Sequence, residues 1–311
     1  MSEAPILAGQ GAEATFAARA RRQDVVFAAL GLLALVVVTA LLLALVGDLV
    51  ADGLSRISGE FLTSFPSRRP AQAGILSAWI GTCLVMLVTA VVAVPIGVGA
   101  GLYLEEYAPK SWVTDIIEIN VSNLAGVPSI IYGLLALGFF IYALGLGATV
   151  LVGGLVLALL ILPVVIVATR EAVRSVPQGL RESAYGLGCN QWQTVSRYVL
   201  PSAWPGVITG AIVGLSRAIG ETAPIITIGA LTFIAFLPPS PVQADPPFLN
   251  VEWLNSPFTV MPIQMFNWIS RPQEAFKVNA AATGLVLFAM TLTMNAAAIY
   301  IRSRLRAGHR A

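Results

Sequence analysis

Charged side chains are scarce in this chain, since Asp, Glu, Lys and Arg make up only 11% of its 311 residues. Soluble domains typically carry about 25%. Hydrophobic residues make up 57% of the sequence. Long apolar segments cross a bilayer as helices, because a helix satisfies its backbone hydrogen bonds within one segment. The composition therefore excludes an ordinary soluble domain and predicts an all-α polytopic membrane protein.

Histidine and cysteine are almost absent, with one and two copies. The single histidine, His309, excludes a Ser-His-Asp triad and most zinc sites. Cys83 falls in an apolar segment and Cys189 in a predicted cytoplasmic loop, so neither predicts a disulfide. We expect no catalytic residue, no metal and no cofactor. The basic residues form no continuous groove, so we expect no nucleic acid as a partner.

The chain also lacks the phosphate-binding pattern G-x-x-x-x-G-K-[ST]. Its backbone and lysine are what hold the phosphates of ATP in P-loop proteins. If ATP drives this protein, the energy must come from a partner.

Six apolar segments are long enough to cross a membrane, and the first is too long for a secretory signal peptide. They are 25–46, 74–104, 123–146, 149–168, 205–237 and 279–301. The chain then divides into a cytoplasmic N-terminal tail (1–24), a first transmembrane helix (25–46), an external loop (47–73), a core with five transmembrane helices and a cytoplasmic loop at 170–203 (74–301), and a basic cytoplasmic tail (302–311).

Lys and Arg are retained on the cytoplasmic side of membrane proteins. With both termini inside, 12 of the 18 basic residues are cytoplasmic, five are external and one, Arg217, lies in a span. This orientation also places residues 182–201 in the cytoplasm.

Residues 182–201 read ESAYGLGCNQWQTVSRYVLP. Pro177 and Gly179 interrupt the helix before this stretch, Gly188 suits a turn with positive φ, and Pro201 is expected to end the second segment. The short helix between these breaks can transmit force as a rigid element. Its predicted coupling residues, including those that orient it by ion pairing, are Arg181, Glu182, Ser183, Ala184, Gly188, Leu200 and Pro201, with Ala184, Tyr185 and Leu187 expected to face a partner.

The spacing of this stretch resembles the EAA loop of bacterial ABC importer permeases, E-A-A, three residues, G, nine residues, I-x-L-P. Ser183 replaces an alanine and Tyr198 an isoleucine. The resemblance implies docking onto a separate ATPase. The alternative is a loop that connects two spans and has no docking role.

Arg217 and Glu221 belong to the sequence RAIGETAP, within the predicted fifth span. Their spacing of four residues places them on one helix face. Charges inside a span are costly and usually face a bundle interior or a water-filled cavity. A guanidinium binds an oxyanion by two parallel hydrogen bonds, so the pair is predicted to line a substrate path. Gly220 is expected to lower the local bulk and Pro224 to free a carbonyl. Alternatively the two charges only neutralise one another.

Four stretches together resemble the PstA-type permease subunits of phosphate-specific ABC importers. They are PIGVGAGLYLEEYAP at 95–109, NLAGVPSIIYGLL at 123–135, the EAA-like stretch and SRAIGETAPII at 216–226. The resemblance implies a type I importer permease fold with a cytoplasmic coupling helix, in a bacterial inner membrane. It also implies a PstC-type permease subunit, two PstB-type ATPase subunits and a periplasmic phosphate-binding protein as partners, besides membrane lipid.

Other readings stay open at this point. Sulfate or molybdate could replace phosphate as substrate, because the EAA-like loop contacts the ATPase and not the cargo. An intramembrane enzyme would require more ionisable groups than Arg217 and Glu221 inside the spans. Four acidic residues follow the second predicted span: Glu105, Glu106, Asp115 and Glu118. They are either a second ATPase contact or, more commonly for such charges, a solvated loop.

Overall fold

The computed structural model describes residues 4–243 and 248–308, with side chains for 21–243 and 248–304. His309 and Arg310 of the predicted basic tail lie outside the described residues. The helices are α1 (Ala4–Gly53), α2 (Gly59–Thr63), α3 (Leu76–Glu106), α4 (Trp112–Leu124), α5 (Ser129–Ala136), α6 (Val150–Arg174), α7 (Gln178–Gly186), α8 (Gln191–Thr194), α9 (Leu200–Ile219), α10 (Ala223–Thr227), α11 (Met261–Ile269) and α12 (Glu274–Gly308). Two π-helical turns, Leu137–Ala143 and Val195–Val199, extend α5 and join α8 to α9.

Five of the described helical segments are long and apolar enough to cross a membrane: Arg21–Arg56, Leu76–Glu106, Val150–Arg174, Gln191–Ile219 and Glu274–Arg304. A sixth crossing exists if α4 and the helix that begins at Ser129 count as one span, although they are bent by 106°. The chain therefore has five or six candidate spans, where the sequence predicted six.

The chain separates into two compact units, Met1–Asp52 and Gly53–Ala311. In the first unit, α1 continues without a break through the predicted tail and the predicted first span. Its segment 25–46 is apolar on all sides, which suits contact with lipid. All the sites described below belong to the second unit.

The second unit is built on close packing of α3, α6 and α9. A methyl group at Gly97 or Gly101 of α3 would lie 2.7 Å from Val165 or Thr169 of α6. On the other side of α6, a methyl group at Gly210 of α9 would lie 2.2 Å from Ala168. Small residues let membrane helices approach closely, so these three glycines allow α3 and α9 to pack against α6.

A second apolar cluster lies around the N-terminus of α3. Phe61, Ile75, Trp268 and Phe276 are fully buried there. Arg56 closes this cluster, because its guanidinium donates to Asn279 Oδ1 at 2.9 Å and to the carbonyl oxygen of Ala71 at 2.8 Å. The loop 54–75 is thereby fastened to α12.

Two predicted spans are wrong in outline. The segment 123–146 is not straight, because the chain bends between α4 and α5 just before Pro128, whose ring disfavours helix in the residue before it. The segment 205–237 is displaced: the helix starts at Gln191, ends at Ile219, and is followed by the short α10 and irregular chain.

Pro201 does not end a helix, contrary to prediction. It lies in the first turn of α9, directly after the π-helical turn Val195–Val199. Proline lacks the N–H for an i→i−4 bond, and a wider π-helical turn before it is one way to keep the helix continuous. Candidate span Val150–Arg174 ends at Arg174, and the next candidate span starts at Gln191. The segment between these two spans is therefore 175–190, which is shorter than the predicted loop 170–203.

Candidate functional site

Helix α7 is isolated between two breaks, as the sequence predicted. Pro177 precedes its first turn, and Gly188 follows it with φ of +84°, a conformation that favours glycine. Asn190 then caps α8, since its side chain accepts from the Gln193 amide at 2.8 Å while the Gln193 side chain accepts from the Asn190 amide. Capping of this kind fixes the point at which the next helix starts.

The side chains of α7 divide into a packed and an exposed face. Ala184 is buried, with 2% of its surface exposed, so the prediction that it faces a partner is wrong. Tyr185 and Leu187 are 47% and 79% exposed. Glu182 and Ser183 are also exposed. A free apolar and acidic surface of this kind is suited to contact another protein.

Leu200 and Pro201 lie apart from this surface. Both are half-buried in the first turn of α9. Their place is in the helix that enters the span, not on the exposed turn.

Arg181 holds α7 in place by four hydrogen bonds within the chain. Its Nη2 and Nε donate to Glu106 Oε1 at 2.7 and 3.1 Å. Its Nη1 donates to the Val176 carbonyl oxygen at 2.7 Å and its Nη2 to that of Val173 at 2.9 Å. The two side chains are only 12% and 10% exposed. Arg181 thus caps the C-terminal carbonyls of α6 and pairs α7 with the end of α3.

Glu105 and Glu106 at the end of α3 and Glu118 within α4 do not belong to a solvated loop. Glu105 accepts from Arg174 through both carboxylate oxygens at 3.0 Å. Glu118 of α4 pairs with Arg170 Nη2 at 2.6 Å, and Arg170 Nε lies 3.6 Å from Glu105. These carboxylates fasten the ends of α3 and α4 to α6. The sequence motif GLYLEEYAP contained Glu105 and Glu106, but nothing in it revealed their partners.

Tyr107 follows directly after these glutamates. Burial, together with the nearby Glu106 carboxylate, raises the pKa of the Tyr107 phenol above its ordinary value. The phenol therefore stays neutral at physiological pH.

Arg217 and Glu221 lie at a helix end and not in mid-span. Arg217 is in the last turn of α9, and Glu221 follows the helix after Gly220. Arg217 Nε lies 3.5 Å from Glu221 Oε1, and the side chains are 41% and 20% exposed. The predicted pairing is present, but it is long and poorly enclosed.

The surroundings of Glu221 correct two further predictions. A methyl group at Gly220 would meet no atom within 4 Å, so this glycine does not relieve crowding. Pro224 lies in the first turn of α10 and frees no carbonyl, because α9 has already ended. The close approach of α5 and α10 is instead permitted by Gly133 of α5, since a methyl group there would lie 1.8 Å from Thr227 Oγ1 of α10. The sequence analysis did not identify this glycine.

A small, partly open cavity adjoins Glu221. It is lined by apolar side chains of α3, α6, α9 and α10 and by Val260, together with Thr82 and with Glu221, the one ionisable residue among them. The carboxylate thus touches both the cavity and the arginine. In the described residues no three His, Cys, Asp or Glu side chains are placed to hold a metal ion.

Comparisons with known proteins agree with this geometry. Residues 93–307 match the family model described as "Binding-protein-dependent transport system inner membrane component". The chain is 32% identical over 272 residues to "Probable ABC transporter permease protein YqgI" of Bacillus subtilis (strain 168), covering 86% of each chain. It is 32% identical over 247 residues to "Phosphate transport system permease protein PstA 1" of Mycobacterium tuberculosis (strain CDC 1551 / Oshkosh), covering 79% of this chain and 76% of that one.

A solved structure shares the fold. A chain of the MetNI methionine ABC transporter in an inward-facing conformation superposes with a TM-score of 0.57 at 17% identity, over 74% of this chain and 95% of the other.

Proposed function

The chain belongs to the family of binding-protein-dependent transport system inner membrane components, and from this membership we propose that it is the permease subunit of an ATP-driven importer of inorganic phosphate. The predicted all-α type I ABC importer permease fold is confirmed by the helical structure and its superposition on a permease chain. The chain is a multi-pass membrane protein and a transport component. The proposal concerns its cargo, its partners and its orientation.

The observation that carries the phosphate proposal is the exposure of the Arg217 side chain and its weak contact with Glu221. This side chain is 41% exposed, and among the described residues its guanidinium makes one ion-pair contact, with Glu221 at 3.5 Å. Most of its donors have no partner in the part of the chain that the structure describes. A planar guanidinium offers two parallel donors to a phosphate oxygen pair and stays charged at every physiological pH. Glu221 would hold the arginine before phosphate arrives and accept a hydrogen bond from a protonated phosphate hydroxyl afterwards.

The name of the relative from M. tuberculosis supports phosphate over other oxyanions. Sulfate and molybdate remain the alternative substrates, and fully deprotonated sulfate has no proton to donate to Glu221. Competition by these anions is therefore the most direct test of cargo.

We assign the coupling to ATP to the exposed face of α7. Tyr185 and Leu187 supply an apolar surface, and Glu182 and Ser183 a polar edge. This surface would dock onto an ATPase, since the chain has no phosphate-binding loop of its own, and two PstB-type ATPase subunits would lie beneath the complex. A homologous PstC-type permease subunit and a periplasmic phosphate-binding protein would complete the complex.

The α7 end of the molecule is then cytoplasmic. Arg170, Arg174 and Arg181 lie at this end, as the retention of basic residues on the inner side requires. The resulting orientation in a bacterial inner membrane has both termini in the cytoplasm.

The test is ATP-driven uptake of labelled phosphate by proteoliposomes that contain this chain with both partner subunits and the binding protein. We expect uptake that requires ATP and the binding protein and that excess sulfate or molybdate does not reduce. Competition by either anion would replace phosphate with the alternative substrate class. Absence of any ATP-dependent uptake in a correctly assembled complex would contradict the proposal.

A further inference from the structure

Glu106 is the last residue of α3 and the meeting point of both arms of the turn that contains α7 and α8. Its side chain accepts from Arg181 of α7 at 2.7 and 3.1 Å. Its backbone carbonyl oxygen accepts from Gln191 Nε2 of α8 at 2.6 Å. Residues 178–194, named here the coupling segment, are thus tied to α3 on both sides of Gly188.

The neighbouring Glu105 has a different set of partners. Its carboxylate contacts Arg174 and Arg170, both on α6. The two consecutive glutamates therefore diverge: Glu105 joins α3 to the adjacent span, and Glu106 joins α3 to the coupling segment. Among the hydrogen bonds and ion pairs of the described residues, only those of Glu106 connect the segment that would dock on the ATPase to a membrane helix other than those that flank it in sequence.

The other end of α3 is attached to the chain that follows the Arg217 site. Ser77 Oγ donates to the Ile234 carbonyl oxygen at 3.0 Å, and Thr82 Oγ1 accepts from the Met261 amide at 3.0 Å. Gly81 allows the Thr259 carbonyl to approach, since a methyl group there would lie 2.1 Å from that oxygen. Ile234 and Thr259 belong to the stretch between α10 and α11, and Met261 is the first residue of α11.

Helix α3 links these two attachments as a single element of 31 residues. At 1.5 Å per residue it is about 46 Å long, enough to cross the hydrocarbon core. The helix runs without a break from Leu76 to Glu106, although Pro95 removes one of its backbone hydrogen bonds, so a displacement of one end is carried along its axis to the other. Movement of the coupling segment would therefore reach the stretch 234–261 through α3.

We propose that Glu106 is a positioning residue that makes the coupling segment and α3 move as one body, so that an ATPase-driven shift of α7 is delivered to the stretch 234–261 beyond the substrate path. This inference rests on the proposed function for its driving force. The attachment of the segment to α3 does not depend on which anion is transported.

The experiment compares Glu106→Gln, Gln191→Ala and the control Glu105→Gln in the complete complex in nanodiscs and proteoliposomes. Glu105→Gln is a matched control, because it removes the same charge one residue away but leaves the coupling segment attached. Two quantities are measured: hydrogen exchange of the backbone amides of α7, and phosphate taken up per ATP hydrolysed. Exchange within α6 reports whether each variant is folded.

We expect Glu106→Gln to raise exchange in α7 by at least about fivefold, because the helix loses its fixed attachment, and to lower phosphate per ATP by a similar factor. Gln191→Ala, which removes one arm, should give a smaller change of the same sign. Glu105→Gln should stay within about twofold of the parent in both quantities, because the partners of Glu105, Arg174 and Arg170, lie on α6 and not on the coupling segment.

Three outcomes overturn the inference. The first is unchanged exchange in α7 for Glu106→Gln, and the second is raised exchange with unchanged phosphate per ATP, which would make the contact merely structural. The third is an equal effect of Glu105→Gln. If the parent complex hydrolyses ATP but imports no phosphate, the proposed cargo fails, whereas raised α7 exchange in Glu106→Gln alone still supports the attachment.

Discussion

Two arginine–glutamate pairs lie at different ends of the helices of this permease, and they are built in opposite ways. Arg181 and Glu106 are 12% and 10% exposed and 2.7 Å apart, and the guanidinium also binds two backbone carbonyls. Arg217 and Glu221 are 41% and 20% exposed and 3.5 Å apart. The first arginine has its donors occupied by the protein, while most donors of the second have no partner among the described residues.

From this difference we assign the Arg181–Glu106 pair to the attachment of α7 and the Arg217–Glu221 pair to the proposed phosphate site. A nearly buried pair is destabilising when one partner is removed, because the remaining charge has lost both water and its counter-ion. A loose, half-exposed pair contributes at most about 1 kcal/mol to stability. Substitutions at the first pair should therefore change stability and coupling, and substitutions at the second should change transport alone.

Replacement of Arg217 should have the largest effect on uptake. Arg217→Gln removes the charged fork that we assign to phosphate, so we expect uptake to fall at least about tenfold, the equivalent of losing roughly 1.4 kcal/mol of interaction. The melting temperature of the complex should stay within a few degrees of the parent, because the pair with Glu221 is weak. Normal uptake by this variant would reduce Arg217 to a structural charge and would remove the contrast between the two pairs.

Replacement of Gly188 should uncouple ATP hydrolysis from uptake. Gly188 has φ of +84°, which costs a β-branched residue about 1 to 3 kcal/mol. Gly188→Val should therefore distort the turn after α7 while the chain still inserts into the membrane, and Glu182→Lys should uncouple by reversing a charge on the exposed face. The ratio of ATP hydrolysis to uptake measures this. Gly179→Val is the control, since a methyl group at Gly179 meets no atom within 4 Å and its φ is not positive. Normal coupling in both test variants would contradict the assignment of α7.

Replacement of Arg181 should lower stability. Arg181→Gln leaves the Glu106 carboxylate without its cation and removes donors from two carbonyls, a loss of about 3 kcal/mol that corresponds to roughly 5 to 10 °C in melting temperature. Thermal unfolding of the complex measures it. Glu274→Gln is the control, because its pair with Lys277 is exposed and should change the melting temperature by only a degree or two. Equal shifts of the melting temperature in the two variants would show that the nearly buried Arg181–Glu106 pair contributes no more to stability than an exposed pair.

Two glycines near the Arg217 site should differ in their tolerance of a methyl group. Gly133→Ala places a carbon against Thr227 and Pro224, so we expect a cost of about 1 to 3 kcal/mol and a partial loss of uptake as α10 shifts. Gly220→Ala has open space around it and should leave uptake near the parent value. Equal uptake in the two variants would mean that the packing of α5 on α10 does not position Glu221.

The fold class was predictable from the sequence because apolar length is a direct signal of a membrane helix. The breaks inside apolar stretches were less visible. Ile219 is followed by further apolar residues, so hydropathy alone continued the fifth span beyond the actual end of α9. The same helix starts at Gln191 with polar residues, so hydropathy does not predict its start.

The site was predictable in part. Proline, glycine and spacing located α7 and its turn, since these residues restrict the backbone locally. The partner of Arg181 could not be predicted, because Glu106 lies 75 positions away and only the folded arrangement of α3 and α6 brings them together. Likewise, the burial of Ala184 depends on which side of α7 meets the rest of the chain.

The π-helical turn Val195–Val199 has a consequence for insertions and deletions in related sequences. Each residue rotates an α-helix by about 100°, and a π-helical turn accommodates one residue more than an α-helix would. Deleting a single residue there would convert the wide turn into an ordinary α-helical turn and leave the direction of α9, Arg217 included, nearly unchanged. The same deletion within α9 would rotate everything after it by about 100°, so of the two only a one-residue gap outside the π-helical turn signifies a re-aimed helix face.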